Sequence, residues 1–533
     1  MQTAAERDTP AAAAAAVRTR RRGLPAAPPV LTVGLLATYT IDPVEPYLQV
    51  PLADADLVPE IVVGPYNQIM PECLDDRGQT ARLDPDVLVV APRWEEMPDG
   101  EEEAELLRLA DAARAAADRR GTCLVFVLPA LPHLRGGAAD AGRPDGIAAA
   151  ATAARQRLRD RLAGHPHVLV ADAEEAVRDV GALRAHHPAL YAFARIPYTE
   201  EVFWRLGLGI ARLLRTRFGG VPRAMVLGGD LVTPAYAEVL RGPLLRLGEA
   251  GMRLAVAAPE HREPFLEALA GDWAPLAPYL AGAWPAPADT GPLRAVAADL
   301  GPSLLLTADP LLAGEAGGVD GLEAVLLGPA PESWPAQLQE AGVFDRPLGG
   351  RPGPDGAAPP VPPGESAGTL SLADFVAGLD VSVTFGEPGE AVEAVHPKAV
   401  ELLARAKDFV LGPVPDGFDP ARFAGDGRLL LTADVRDRFG DYGLGAVAAL
   451  EFSAGVCRVE VFSVSCPVMG RGVEPLVLGE IVEIAGRRGC AAVELVLTPT
   501  GRNGVALEFA AEAEDRTWQD GGGRTVAVRA VER

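Results

Sequence analysis

Short apolar runs alternate with amphipathic stretches over residues 30–222. The runs have the length and composition of strands, and the stretches between them have helical spacing. The predicted strands are 30–36, 60–63, 87–90, 123–128 and 167–171, and the predicted helices are 101–120, 146–162 and 200–217. This alternation predicts an α/β domain, a parallel sheet with helices on both faces.

Two further blocks follow. Residues 223–346 repeat the pattern of a small Rossmann-like sheet, and the Pro- and Gly-rich residues 347–368 are predicted to be a linker. Residues 369–533 then form a third α/β block. The predicted strands of the two blocks are 223–227, 254–257, 303–307, 324–327, 381–385, 428–433, 444–452, 457–464 and 492–497, and their helices are 234–250, 292–300, 334–341, 371–377, 396–406 and one from 474.

The most informative stretch runs from Cys457 to Glu474. It alternates like a strand, turns at Gly470-Arg471-Gly472, and takes helical spacing from Glu474. A strand, a glycine turn and a helix start present free backbone N–H groups, a nest that binds anions such as the phosphate of a pantetheine arm. Cys466 lies at its edge, where we expect the helix N-terminus to favour the thiolate.

Charge and composition narrow the class of protein. The 533 residues carry a formal net charge of −24, which argues against a nucleic-acid-binding protein. No apolar run approaches the roughly 20 residues of a membrane-spanning helix. Five scattered cysteines without a CxxC pair argue against a zinc site or disulfide framework and favour a reducing cytoplasm. The Ala-rich residues 1–29 are predicted to be a disordered leader.

Several stretches resemble the FkbH-like family of natural-product pathways. The densest matches are DRFGDYGLG at 437–445, SCPVMGRGVE at 465–474 and TPTGRN at 498–503. The resemblance implies three domains: a flavodoxin- or SGNH-like domain at 30–222, a haloacid-dehalogenase (HAD) type IIIC phosphatase domain at 223–346, and a GNAT-like acyltransferase domain at 369–533.

The phosphatase positions implied by the resemblance have changed. Gly228 stands where the nucleophilic aspartate belongs, and only Asp230 of that pair remains. Ala258 falls where a phosphoryl-binding Ser or Thr belongs, and Thr307 falls on the acidic pair of the magnesium site. Since these groups supply charge that phosphoryl transfer requires, we expect a pseudophosphatase that does not use Mg²⁺.

The third domain keeps more of the family pattern. The resemblance implies that Cys466 takes a small acyl unit, glyceryl-like, as a thioester and delivers it to the phosphopantetheine thiol of an acyl carrier protein. It implies catalytic roles for Asp437 and Asn503 and a pantetheine- or phosphate-binding role for the segment of Gly470, Arg471, Gly472 and Val473. Pro467 departs from the family's arginine. No tightly bound cofactor is expected.

Other interpretations remain open. The losses in the HAD block and Pro467 also fit a non-catalytic protein that docks a carrier or a pathway enzyme. An SGNH-type esterase using Thr40 is a further alternative. An acidic carrier would be repelled by the net charge at long range, so delivery needs a local basic rim, for which Arg471, Arg487, Arg488 and Arg502 are candidates.

Overall fold

The computed structural model describes most of the chain. Described are residues 10–531 apart from 25–27, 76, 134–136, 138, 220–223, 250, 259–267, 269, 286–290, 346–375, 377, 387–397, 404–407, 413–419, 424–426, 514 and 520–524. The predicted linker at 347–368 lies outside the described residues. No helix among the described residues is long and apolar enough to cross a membrane.

The first sheet has five strands in the order β2–β1–β3–β4–β5. They are β1 (Leu31–Ala37), β2 (Pro59–Val63), β3 (Val87–Ala91), β4 (Cys123–Leu128) and β5 (Val168–Asp172). The accompanying helices are Glu45–Ala53, Ile69–Leu74, Gln79–Leu83, Glu102–Arg120, Ile147–Leu162, Ala173–Val180, Ala182–Ala185, Pro188–Ala194 and Glu200–Phe218. β3 and β4 are parallel and buried along their whole length, which confirms the predicted α/β class.

The N-terminal segment corrects the predicted leader. Residues Pro10–Arg21 form a helix instead of a disordered stretch. Ala14 on this helix is fully buried, and Arg20 forms an ion pair of 2.5 Å with Asp54. Alanine has the highest helix propensity, and one buried alanine face with paired arginines is enough to order the segment.

The second sheet is parallel, in the order β10–β9–β6–β7–β8. Its strands are β6 (Ala224–Gly228), β7 (Arg253–Ala258), β8 (Leu280–Pro285), β9 (Ser303–Thr307) and β10 (Leu322–Leu326). Its helices are Pro234–Glu249, Gly291–Leu300, Pro310–Ala316 and Trp334–Glu340. The sequence pattern missed β8, whose Ala, Gly and Pro content is low in strand propensity.

The third sheet has eight strands, mostly antiparallel. Seven run in the order β11–β13–β14–β15–β16–β18–β17, and β12 pairs with β15. Their bounds are β11 (Ser382–Phe385), β12 (Val410–Leu411), β13 (Arg428–Asp437), β14 (Gly440–Ser453), β15 (Val456–Val464), β16 (Ala492–Leu497), β17 (Arg516–Gln519) and β18 (Thr525–Ala530). The Val473–Arg487 helix connects β15 to β16, which are parallel, and a second helix spans Gly504–Ala513.

The chain divides into two compact units, each discontinuous in sequence. One comprises Met1–Val33, Asp42–Ile61 and Leu169–Val361, and the other comprises Gly34–Ile41, Val62–Val168 and Pro362–Arg533. The second unit therefore includes β3 and β4 of the first sheet together with the whole third sheet. Every contact described below lies within one of these units.

Candidate functional site

The pairing of β12 with β15 places a carboxylate beside Cys466. Val410 pairs with Ser463 in antiparallel register, and the Val464 N–H donates to the carbonyl oxygen of Phe409 over 3.1 Å. If the same register continues, Asp408 lies opposite Ser465 and next to Cys466. The Cys466 thiol accordingly lies 3.8 Å from Oδ2 of Asp408, and the cysteine is partly exposed.

The electrostatics of this pair run opposite to the expectation of a stabilised thiolate. Burial, the larger cause, and the neighbouring Asp408 carboxylate together raise the pKa of the Cys466 thiol to about 11. The charge of Arg502 lowers the pKa of the thiol, and its guanidinium lies 3.9 Å from Oδ1 of Asp408. The helix expected to lower the pKa begins only at Val473, beyond the first-turn range of a helix dipole. At neutral pH Cys466 is therefore predominantly a thiol.

Asn503 is hydrogen-bonded to β12, the strand that follows Asp408. Its side-chain amide donates to the carbonyl oxygen of Val410 over 2.8 Å and to that of Thr498 over 3.0 Å. Its carbonyl oxygen accepts from the Thr500 N–H over 2.8 Å, and the residue is only 1% exposed. The predicted catalytic Asn503 is thus placed as a support for β12.

The predicted glycine turn is present, but the anion that it binds is a carboxylate of the protein itself. Gly470 and Gly472 have φ values of 72° and 81°, which glycine adopts readily. The Gly470 N–H donates to the Glu474 carboxylate over 2.6 Å, so the protein fills this nest position with its own acid. Burial raises the pKa of Glu474. A pantetheine phosphate would have to displace that carboxylate from Gly470.

Asp437 and Arg471 form a buried ion pair at the far end of the same turn. Their side chains are hydrogen-bonded and 0% and 6% exposed. The guanidinium also lies over the rings of Phe439 and Tyr442, at 5.4 and 5.1 Å from their centres. Asp437 accepts further hydrogen bonds from the Phe439 N–H and the Tyr442 hydroxyl. The two charges thus compensate one another in the interior, and the catalytic role of Asp437 and the pantetheine- or phosphate-binding role of Arg471 stay predictions.

The remaining arginines of the predicted basic rim are at the surface. Arg487, Arg488 and Arg502 are exposed, whereas Arg471 is buried. Arg487 forms a 2.8 Å ion pair with Glu480, and the Arg488 guanidinium lies 4.2 Å from the centre of the Phe452 ring. Of the three, Arg502 is the cation that lies beside the Cys466–Asp408 pair.

Polar groups from the ends of β6 and β9, where the resemblance implies the phosphatase positions, are hydrogen-bonded to one another. Asp230 accepts from the Thr307 hydroxyl over 3.0 Å and from the Ala308 N–H over 2.7 Å. A Cβ atom added at Gly228 would overlap the Asp230 carboxylate. The acid has thus occupied the space that a nucleophilic side chain at 228 would need.

These donors do not fit a magnesium ion. Mg²⁺ prefers octahedral oxygen ligands, usually with one or two carboxylates. Here one carboxylate serves two internal donors, and β7 ends at Ala258, which offers no side-chain ligand. Among the described residues, no three His, Cys, Asp or Glu side chains form a metal-binding group. We therefore derive no chemistry through a metal here.

The comparisons with known proteins define the class by fold. No family model and no curated protein matches the chain. The N-terminal part of the Bacteroides fragilis protein BF1531, solved with a phosphatase domain and Mg, superposes with a TM-score of 0.50 at 13% identity over 64% of this chain and 97% of that one. The chain is accordingly a multidomain α/β protein whose fold over that part is similar to the fold of that structure.

Two acetyltransferase structures are also similar to part of the chain. The Escherichia coli ribosomal-protein-S18-alanine N-acetyltransferase matches with a TM-score of 0.21 at 14% identity, over 29% of this chain and 95% of that one. A GCN5-related N-acetyltransferase from Kribbella flavida matches with a TM-score of 0.20 at 18% identity, over 28% and 95%.

Proposed function

We propose that this protein transfers a small acyl unit through a thioester on Cys466, with Asp408 as the proton acceptor and donor. The observation that carries the proposal is the 3.8 Å contact between the Cys466 thiol and the Asp408 carboxylate. A partly exposed thiol beside a carboxylate is the nucleophile-and-base arrangement of covalent catalysis. The β12–β15 pairing fixes this arrangement in the backbone.

Each step of the proposed reaction balances. In loading, the Cys466 sulfur attacks the acyl carbon, its proton moves to Asp408, the bond to the leaving group breaks, and the leaving group takes that proton. In delivery, an acceptor thiol passes its proton to Asp408 and forms a new thioester, and Cys466 regains the proton as its own thioester bond breaks. The high thiol pKa requires this coupling, because a free thiolate is scarce at neutral pH.

The identity of the substrates rests on the sequence resemblance. SCPVMGRGVE contains Cys466, and TPTGRN contains Arg502 and Asn503, so two of the three matched stretches meet at this site. We accordingly propose an FkbH-like role in natural-product biosynthesis, in a reducing cytoplasm. The acyl unit would be glyceryl-like and the acceptor would be the phosphopantetheine thiol of an acyl carrier protein. The HAD-type domain would take no part in phosphate hydrolysis.

The test is direct loading of the intact protein. Incubated with glyceryl and acetyl donors, as acyl phosphates and as thioesters, the wild type should gain the acyl mass on the Cys466 peptide. Cys466→Ala should not load, while Cys490→Ala, a change at a buried cysteine, should load normally. Loading of Cys466→Ala at the wild-type rate would refute the proposal.

A non-catalytic docking protein is the second candidate. The observation that favours it is the Asp230 carboxylate occupying the space of the lost nucleophile, which leaves that domain as scaffold. On this alternative the purified protein binds a carrier protein but never forms a thioester. A carrier pull-down that survives Cys466→Ala, combined with no acyl mass from any donor, would select it.

A further inference from the structure

Gln68 is held rigidly at the carboxyl end of the first sheet. The preceding Asn67 N–H donates to the Ala37 carbonyl oxygen over 3.1 Å, at the end of β1. The Gln68 carbonyl oxygen accepts from the Glu72 N–H over 3.0 Å, at the start of the Ile69–Leu74 helix. Gln68 itself is 4% exposed. The backbone of Gln68 is therefore held in place, and its buried side chain has few accessible conformations.

The Gln68 amide reaches the turn that carries Cys466, in the same compact unit. It donates a buried hydrogen bond to the carbonyl oxygen of Met469. A Cβ atom at Gly470 would lie 3.1 Å from the Gln68 side-chain oxygen, a tight contact, and the φ of 72° favours glycine there. The Met469 N–H donates to the carbonyl oxygen of Ser465 over 3.2 Å, which closes the turn around Cys466.

We propose that Gln68 is a positioning residue for Cys466, an inference that rests on the proposed function. By fixing the Met469 carbonyl, Gln68 sets the conformation of residues 465–469 and with it the distance from the thiol to Asp408. Small misplacements of reacting groups lower rates strongly, by about 100-fold for 1 Å. The first α/β domain would therefore contribute to the reaction without touching a substrate.

The ion pair of Arg82 with Glu508 provides a matched control. It also joins the first domain to the C-terminal region within this unit, at 2.8 Å, but its side chains are 59% and 56% exposed. Glu508 lies on the Gly504–Ala513 helix, and neither residue of the pair lies on the turn that carries Cys466. Removing it tests whether any loosened contact between the two regions has the same effect.

The experiment compares Gln68→Ala, Gln68→Glu and Arg82→Ala in the full chain. Acyl loading and iodoacetamide labelling of Cys466 are measured between pH 7 and 10, with thermal unfolding as a check on folding. A loosened turn exposes the thiol and separates it from its base. We expect labelling at pH 8 to rise about 3- to 10-fold and loading to fall about 10-fold or more in both Gln68 variants, and neither to change in Arg82→Ala.

Several outcomes would overturn the inference. Wild-type labelling and loading in both Gln68 variants would do so, as would equal changes in Arg82→Ala. Gln68→Glu keeps the size of the side chain but loses the donor when ionised, so it decides the matter if Gln68→Ala does not fold. If the wild type never loads, the proposed function fails, while altered labelling in the Gln68 variants would still show control of the turn.

Discussion

Replacing Asp408 with Asn should make Cys466 more reactive toward a simple alkylating agent. The substitution keeps the shape of the side chain and removes the charge that opposes the thiolate, 3.8 Å from the sulfur. A unit charge at about 4 Å contributes about 1 kcal/mol in water and about 4 kcal/mol at the effective dielectric of a protein surface. Because the Asp408 side chain is 39% exposed, we take about 1 to 2 kcal/mol.

That energy corresponds to about one pKa unit, since about 1.4 kcal/mol shifts a pKa by one. The pKa of Cys466 should then fall from about 11 to about 10. At pH 8 the thiolate fraction rises about 10-fold, while the lower basicity reduces its nucleophilicity about 3-fold, so labelling should be about 3-fold faster. Burial, the larger cause of the raised pKa, is unchanged, so the pKa should stay above that of a free thiol.

The assay is the rate of iodoacetamide labelling of the Cys466 peptide, followed by mass spectrometry from pH 7 to 10. Arg502→Gln is the control of opposite sign, because its charge lowers the thiol pKa, so its loss should slow labelling. Acyl loading should respond differently, falling about 100-fold or more in Asp408→Asn if the carboxylate carries the proton. Slower labelling in Asp408→Asn, or faster labelling in Arg502→Gln, would refute the electrostatic reasoning.

Three further predictions concern the other buried groups. Gly228→Asp should not produce phosphatase activity, measured with p-nitrophenyl phosphate and Mg²⁺. It should also lower the thermal midpoint of unfolding, because the new Cβ overlaps Asp230. Mg²⁺-dependent turnover by this variant would contradict the prediction. Arg471→Met should destabilise the protein by about 3 to 5 kcal/mol in urea unfolding, because Asp437 is left charged and buried; a loss below about 1 kcal/mol would show another partner replacing it. Asn503→Ala should lower the free energy of unfolding by about 1 to 3 kcal/mol and reduce acyl loading, and Thr500→Ser serves as a mild control. Unchanged loading in Asn503→Ala would exclude a role for β12.

The elements of the fold could be predicted because their patterns are local. The runs at 123–128, 303–307 and 492–497 match β4, β9 and β16 residue for residue, and Trp334 begins its predicted helix. β12 could not be found, because two residues carry no periodicity and its pairing with β15 joins positions far apart in sequence. The N-terminal helix was missed because its apolar face is alanine, which gives a weak hydrophobic signal.

Only part of the candidate site could be predicted from the sequence. Cys466 and its glycine turn follow from local spacing, but the partner of the thiol, Asp408, precedes a strand that has no sequence pattern of its own. Arg471 is one of the four candidates for the basic rim, and the structure instead pairs it with Asp437 in the interior. A signal existed: arginine and aspartate with two aromatic residues in DRFGDYGLG and GRG can form a buried cation cluster.

The contrast between the two polar sites indicates where chemistry can occur. At the ends of β6 and β9, Asp230 accepts hydrogen bonds from the Thr307 hydroxyl and the Ala308 amide, so binding a phosphate or a metal there would first break these internal hydrogen bonds. At Cys466 the thiol contacts a carboxylate that remains 39% exposed and is paired with Arg502 at the surface. Because a Cβ atom at Gly228 would overlap the Asp230 carboxylate, no side chain fits at position 228 unless that carboxylate moves. The proposed acyl transfer therefore has its test at Cys466, after the end of β15, where alkylation and acyl loading can be measured on the same thiol.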